Sequence, residues 1–161
     1  MKPIHQWIDE YGDSHKNPKN KAIHWICVPL IMLSLLSLIS LIPFPLNSIK
    51  LITFGTIDVT LNWTFIFLVF SVIFYLRLSI TIAIGMLLVA ISMLASISWI
   101  EHFDPSVWRL SFAIFVVSWI GQFIGHKIEG KKPSFFEDLQ FLLIGPAWLL
   151  SFIYKKLGIR L

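Results

Sequence analysis

The sequence has few charged residues: aspartate, glutamate, lysine and arginine together make up 14% of its 161 positions. A soluble domain of this size usually has about 25% charged residues. Hydrophobic residues make up 57%, so the chain has too little polar surface to cover a water-soluble globule. We therefore predict a single membrane-embedded domain over residues 1–161.

Cysteine is equally scarce, because Cys27 is the one cysteine in the sequence. A single thiol excludes an intrachain disulfide framework and a cysteine-rich zinc or iron–sulfur site. The sequence also lacks a glycine-rich phosphate loop and a nucleophile elbow. The net charge of +4 lies in short clusters beside apolar segments, which is typical of membrane flanks, so no nucleic-acid partner is expected.

Long apolar runs, by contrast, are abundant. A membrane-spanning helix needs about 20 mostly apolar residues, and four runs between residues 23 and 124 fit or approach this length. The polar residues 1–22 contain no cleavage pattern of a signal peptide and are predicted to form a cytoplasmic N-terminal segment. The four runs are 23–42, 61–76, 78–100 and 107–124.

A fifth apolar run, 135–154, is interrupted by Gly145-Pro146. Interrupted helices suit re-entrant or interfacial segments. With the N-terminus in the cytoplasm, a fifth helix that stays on that side also keeps the basic residues of 155–160 inside. The predicted fold class is all-α: an integral membrane bundle of four spanning helices plus a fifth interfacial or re-entrant helix. Such a protein belongs in the cytoplasmic membrane of a bacterium or the endoplasmic reticulum of a eukaryote.

Histidines gather at one predicted depth of this bundle, since four of the five fall near its cytoplasmic edge. Asn17 can cap the first spanning helix and Pro18 can open it, which places His24 about 10 Å into the helix. His15 lies just before the cap. His5 is the weakest member of this group and is predicted to be solvated.

The last predicted span adds polar groups at the same edge. Gln122, His126 and Glu129 recur at i, i+4 and i+7, so they share one helix face. Polar residues at such depth usually face the bundle interior or a water-filled cavity. Gly121 and Gly125 form a small-residue pair that lets another helix approach closely.

Together these residues predict a metal site at the membrane edge, because several imidazoles with a nearby carboxylate suit iron(II), zinc or copper(II). In the alternative interpretation, each histidine is bonded separately to water or backbone, and the neighbouring lysines contact lipid headgroups. The candidates fall into metal ligands and catalytic groups, residues that orient the imidazoles, and lysines that hold the carboxylate of a lipid-derived acid. The first group is His15, His24, His126 and Glu129, the second is Asn17, Asn20 and Gln122, and the third is Lys19 and Lys127.

Two blocks of sequence resemble the motifs of a known family. The first comprises Tyr11, residues 15–20, His24 and Val28-Pro29; the second comprises residues 119–126, Glu129, 131–133 and Gly145-Pro146. Their order and spacing resemble those of the 2-hydroxy fatty acid dioxygenases, small membrane proteins of fatty acid α-oxidation. The chain departs from the family pattern at Ser134, where an alanine is common.

The resemblance implies an iron(II)-dependent enzyme that uses O2 to shorten a 2-hydroxy fatty acid by one carbon. It implies that the essential histidines are His15, His24 and His126, and it adds His102 as a further candidate ligand. The expected partners are the 2-hydroxy fatty acid, O2 and the lipid bilayer, and the sequence is compatible with a homo-oligomer.

Two other functions stay open on the residues themselves. One is a membrane-embedded zinc-dependent lipid hydrolase, which metal analysis and O2 consumption would separate from a dioxygenase. The other is a non-enzymatic small transporter or scaffold. Transporters usually carry polar groups near the bilayer midplane and internal repeats, whereas here the polar groups lie at one edge and no repeat is visible.

Overall fold

The computed structural model describes residues 2–45, 49–54, 57–103, 106–133 and 140–161. Within these ranges the chain forms six α-helices and one antiparallel hairpin, which confirms the predicted all-α class and adds a hairpin that was not predicted. The elements are α1 (Ile4–Asp13), α2 (Pro18–Ser40), β1 (Lys50–Phe54), β2 (Ile57–Thr60), α3 (Trp63–Leu78), α4 (Ile80–Phe103), α5 (Val107–Glu129) and α6 (Phe141–Leu157).

Three of the described helices, α2, α4 and α5, are long and apolar enough to cross a membrane. The remaining predicted span, 61–76, corresponds to α3, which has 16 residues and is about 24 Å long, shorter than the roughly 30 Å hydrocarbon core. Large apolar side chains cover the outside of the bundle: Phe70, Leu88 and Val117 are 68%, 63% and 66% exposed. Such a surface is suited to lipid rather than water.

A tight turn joins α3 to α4, which correspond to the second and third apolar runs. Ser79 alone separates α3 from α4. Its backbone N–H donates to the carbonyl of Tyr75 at 2.8 Å, and its Oγ accepts the N–H of Ile82 at 3.4 Å. One serine therefore satisfies backbone groups at the end of one helix and the start of the next.

The centre of the bundle is the antiparallel pair of α2 and α5. At the end where α2 finishes, the Ser111 hydroxyl donates to the Ser37 hydroxyl at 2.8 Å. Gly121 faces α2, because a Cβ at that position would lie 2.6 Å from the Cys27 sulfur, and a Cβ at Gly125 would also clash with α2. The glycine pair thus allows the close helix approach that its spacing predicts.

An amphipathic helix, α1, lies at the opposite end of this pair, where α2 begins; we call this the α1 end of the bundle. Ile4, Trp7 and Tyr11 follow an i, i+3, i+7 pattern and are buried. The Trp7 ring meets the Phe141 ring of α6 edge to face, with centroids 5.2 Å apart. Ten residues of the predicted N-terminal segment 1–22 thus form a helix with a buried apolar stripe, and its cytoplasmic location stays a prediction.

Helix α6 packs at the α1 end as well. The Tyr75 hydroxyl, near the end of α3, donates to the Leu143 carbonyl at 2.8 Å. The Tyr154 hydroxyl donates to the Thr81 carbonyl, near the start of α4, at the same distance. Both contacts lie beside the α3–α4 turn, so they hold α6 at this end of the bundle.

The predicted interruption of the fifth helix at Gly145-Pro146 is wrong, since α6 continues through both residues. Pro146 removes one backbone donor. Gly145, Pro146 and Ala147 are all buried, and this packing offsets the missing hydrogen bond. Residues 134–139, where the predicted run begins, lie outside the described residues.

Substitution of Gly121 tests the close approach of α2 and α5. Gly121→Ala should lower the free energy of unfolding by about 1–3 kcal/mol, because the added Cβ crowds the Cys27 sulfur. Combining it with Cys27→Ala removes that sulfur, so the double variant should lose less stability than the sum of the two single changes. Thermal unfolding of the purified proteins in detergent measures both effects; strictly additive losses would mean that the two residues do not touch.

Candidate metal centre

Three histidines from separate parts of the chain meet at the α1 end. One ring nitrogen from each of His15, His24 and His126 lies within 4.8 Å of the others. The ring centroids are 4.2 Å apart for His15 and His24, and 4.9 Å apart for each of the other two pairs. The side chains are 0%, 0% and 4% exposed. We refer to these three residues as the histidine triad.

Two of the triad histidines are oriented in the same way by backbone carbonyls. The Nδ1 atom of His15 lies 2.6 Å from the Tyr11 carbonyl oxygen, and that of His24 lies 3.0 Å from the Asn20 carbonyl oxygen. A carbonyl can only accept, so Nδ1 carries the proton in both rings. The lone pair of each Nε2 is therefore available to a ligand, as in histidines that bind metals.

Three nitrogens of the triad are left without partners. The Nε2 atoms of His15 and His24 and the Nδ1 atom of His126 are buried and make no hydrogen bond. Burying such an atom unpaired costs about 1–3 kcal/mol, so three at one point require an explanation. One cation shared by the three lone pairs would satisfy all of them, and iron(II), zinc and copper(II) all accept imidazole ligands.

The charge state of His15 suits the same role. Burial lowers the pKa of His15 from its ordinary value of 6.5 to about 4, although the hydrogen bond to the Tyr11 carbonyl acts in the opposite direction. The charge of Lys21 makes a smaller contribution that also lowers this pKa. His15 is consequently neutral at pH 7, and a neutral imidazole is the form that binds a metal ion.

Glu129 lies beside the triad but uses its oxygens elsewhere. The carboxylate accepts the backbone N–H of Lys16 at 2.8 Å, that of Asn17 at 2.9 and 3.2 Å, and the side-chain amide of Asn20 at 3.0 Å. These donors lie just before α2 and in its first turn, where backbone N–H groups lack helical partners. Glu129 thus caps α2 from the end of α5, and its predicted catalytic role stays a prediction. We call this set of hydrogen bonds the Glu129 clamp.

The residues predicted to orient the imidazoles act in three different ways. The Asn17 side chain accepts the N–H of Lys19 at 2.9 Å and caps α2. Asn20 holds His24 through its backbone carbonyl rather than its side chain. Gln122 is buried and interacts with His24, and its role in orienting an imidazole stays a prediction.

The lysines predicted to hold a substrate carboxylate lie on the outside. Lys19 and Lys127 are both exposed, and neither lines the cavity beside the triad. Lys21 is the lysine whose charge acts on His15. The positions of Lys19, Lys21 and Lys127 along their helices did not show which lysine would act on the triad. That property depends on how α1 packs over the helix ends.

Position 102 lies far from the triad. Gly85, near the start of α4, lies against Tyr154 at the α1 end. Position 102 follows about 17 residues later on the same helix, and the intervening helix is about 26 Å long. The backbone of α4 therefore carries this candidate ligand towards the opposite end of the bundle.

Two aromatic residues that were given no role in the predicted site cover the triad. The Tyr11 ring stacks on the His15 ring, with centroids 4.2 Å apart and planes inclined by 15°. The Trp148 ring lies 5.1 Å from the same imidazole. The spacing of four between Tyr11 and His15 is a signal for this contact, whereas no local pattern points to Trp148.

A cavity of about 60 Å³ adjoins the triad between α2, α5 and α6. Three polar side chains line it, those of Tyr11, Gln122 and His126, and the indole of Trp119 adds an N–H donor. The remaining lining is apolar and comprises Val28, Ile31, Met32, Phe141, Leu142, Gly145 and Pro146.

Comparison with known proteins shows which family this chain resembles over most of its length. The family model of Mpo1-like 2-hydroxy-palmitic acid dioxygenases matches residues 1–157. The 2-hydroxy-palmitic acid dioxygenase MPO1 of Saccharomyces cerevisiae is 28% identical over 150 residues, which cover 92% of this chain and 78% of the yeast protein. No solved structure matches the chain. The chain belongs to the Mpo1-like 2-hydroxy-palmitic acid dioxygenase family.

Proposed function

We propose that this protein is an iron(II)-dependent dioxygenase that shortens 2-hydroxy fatty acids by one carbon with O2. The observation that carries the proposal is the convergence of three buried, unbonded imidazole nitrogens in a member of this dioxygenase family. The name of the yeast relative describes a dioxygenase of 2-hydroxy-palmitic acid, and we extend that substrate class to this chain.

The triad would hold the iron through Nε2 of His15, Nε2 of His24 and Nδ1 of His126. Iron, when bound there, supplies the redox chemistry that a reaction with O2 needs. Zinc has no redox chemistry, so family membership favours iron over zinc among the metals that accept imidazoles. Three protein ligands also leave coordination positions for oxygen atoms of the substrate.

The protein's own contribution is to orient these ligands and to keep water away. Backbone carbonyls fix the rings of His15 and His24, and the rings of Tyr11 and Trp148 lie over His15. A dry site strengthens electrostatic interactions with the head of a bound acid.

The position of the triad suits a lipid substrate. Three long apolar helices support an integral membrane protein, and basic residues surround the α1 end. We place this end, with the N-terminus, on the cytoplasmic side by the positive-inside rule. The exposed Lys19 and Lys127 are then positioned to contact anionic headgroups, while the apolar chain of the substrate lies among helices or lipid.

Reconstitution with defined metals tests the proposed reaction. The purified protein in detergent is loaded with Fe(II) or Zn(II) and mixed with 2-hydroxyhexadecanoate, with and without O2. The iron form should consume O2 and release a product that is one carbon shorter, and the zinc form should do neither. In a parallel assay with an ester lipid as substrate, hydrolysis by the zinc form without O2 consumption would support a lipid hydrolase instead.

Removal of single imidazoles should abolish metal binding. His15→Ala, His24→Ala and His126→Ala should each reduce iron affinity by more than the 10- to 100-fold typical of residues that only support ligands. His5→Ala is the matched control, since His5 is exposed in α1. Metal content and O2 consumption are measured beside circular dichroism; a folded triad variant with full iron content and turnover would contradict the proposed site.

The effect of Glu129 on metal binding can be measured separately from an effect on the reaction itself. In Glu129→Gln an amide NH2 would face backbone N–H donors, so the Glu129 clamp should loosen and iron affinity should fall about 10- to 100-fold. Turnover should recover at saturating iron(II), because the clamp positions ligands and does not take part in the reaction. Glu101→Gln, at an exposed position on α4, is the control. A loss of kcat that persists with the site fully loaded would restore a catalytic role.

A further inference from the structure

Tyr11 occupies a space that α6 leaves open for it. Its ring stacks on His15, and a Cβ at Gly145 would lie 2.8 Å from the Tyr11 hydroxyl oxygen and 3.3 Å from Cζ. The phenol therefore fills the volume that any side chain at position 145 would need. The absence of a side chain at Gly145 therefore leaves space for the Tyr11 hydroxyl beside the buried part of α6.

The cavity beside the triad has a polar and an apolar part. Along α5, His126 and Gln122 line it within one turn of each other. Along α2, Val28 lies one turn beyond His24, and Ile31 and Met32 follow one turn further on, so the cavity extends about 10 Å from the triad into the bundle. Its polar groups are nearest the histidines.

This polarity matches the head of an amphiphilic acid. The cavity volume is about 60 Å³, several times the roughly 10–15 Å³ that one water molecule needs by this measure, so it accommodates a head group rather than a long chain. Leu142 lines the cavity and is 45% exposed, which gives the rest of the chain a route to the outer surface. That surface is apolar and faces lipid in the proposed arrangement.

We infer that Tyr11 contacts the substrate: its hydroxyl donates a hydrogen bond to the carboxylate of a 2-hydroxy acid bound in this cavity. The inference rests on the proposed function for the substrate class and adds a residue that binds the acid from the protein side. Lys19 and Lys127 do not line the cavity, so the donors there are neutral groups, which include the Tyr11 phenol, the Gln122 amide and the Trp119 indole. Tyr11 is the one of these three whose ring stacks on the imidazole of His15. A neutral donor also avoids the cost of burying a second charge.

Binding to the zinc-loaded protein tests this role without turnover. The probes are 2-hydroxydodecanoate and 1,2-dodecanediol, which has no carboxylate, and binding is followed by tryptophan fluorescence in detergent. Tyr11→Phe keeps the ring on His15 and removes the hydroxyl. It should bind the acid about 10- to 100-fold more weakly, as expected for a lost hydrogen bond to a charged group, with zinc content and diol affinity unchanged.

Two further variants control for packing. Tyr154→Phe removes a hydroxyl that bonds the Thr81 carbonyl and should leave acid affinity unchanged. Gly145→Ala should weaken acid binding by displacing the Tyr11 hydroxyl, but should add little in the Tyr11→Phe background, because the hydroxyl is then absent. Additive effects of the two changes would overturn the inferred geometry.

The outcomes separate this inference from the proposed reaction. Acid affinity of Tyr11→Phe within about twofold of wild type overturns the inference, even if the wild-type iron form turns over 2-hydroxy acids. A selective loss of acid binding supports it, even if the wild-type iron form consumes no O2 and the proposed reaction fails. Wild-type protein that does not bind 2-hydroxydodecanoate overturns the inference directly.

Discussion

The Glu129 clamp is the interaction on which the arrangement of the site depends. The carboxylate binds the backbone N–H of Lys16, directly after His15, and the side chain of Asn20, whose carbonyl orients His24. Glu129 itself lies one turn after His126 on α5. One carboxylate therefore connects the segments that carry all three imidazoles, although its partners are more than a hundred positions away in the sequence.

Close packing of α2 on α5 makes the clamp geometrically feasible. Gly125 leaves room for the Asn20 side chain, and Gly121 leaves room for Cys27. Larger residues at either glycine would separate the helices and move His126 away from His24. The small-residue pair thus contributes to the site by keeping α2 and α5 close together. A metal ion can bridge imidazoles only when the helices that carry them are near each other.

The ends of the chain complete the site. Helices α1 and α6 pack over the triad, and their aromatic rings of Tyr11 and Trp148 cover His15. This cover removes the histidines from water and leaves three of their nitrogens without hydrogen bonds. These nitrogens are unpaired in the protein alone, yet one shared cation could bind all of them. That arrangement is expected of a metal site.

Local sequence patterns determined the helices α2 to α5 of this protein. The apolar runs give membrane-compatible segments, because lipid requires each one to satisfy its own backbone. Asn17-Pro18 marks the start of α2, and the i, i+4, i+7 pattern places His126 and Gln122 on the buried face of α5. The two motifs that resemble the family indicated which histidines would bind the metal, since periodicity alone cannot tell a metal ligand from a buried histidine.

Tertiary structure decided the remaining features, because they depend on contacts between distant segments. The apolar stripe of α1 is buried against α6, and α6 continues through Pro146 at a position that its neighbours bury. The roles of Glu129 and Tyr11 follow from which donors and cavities lie nearest to them in space. Residue type and spacing named the three imidazoles, but only the packing of α5 against α2 and of α1 over both helix ends brought their nitrogens together.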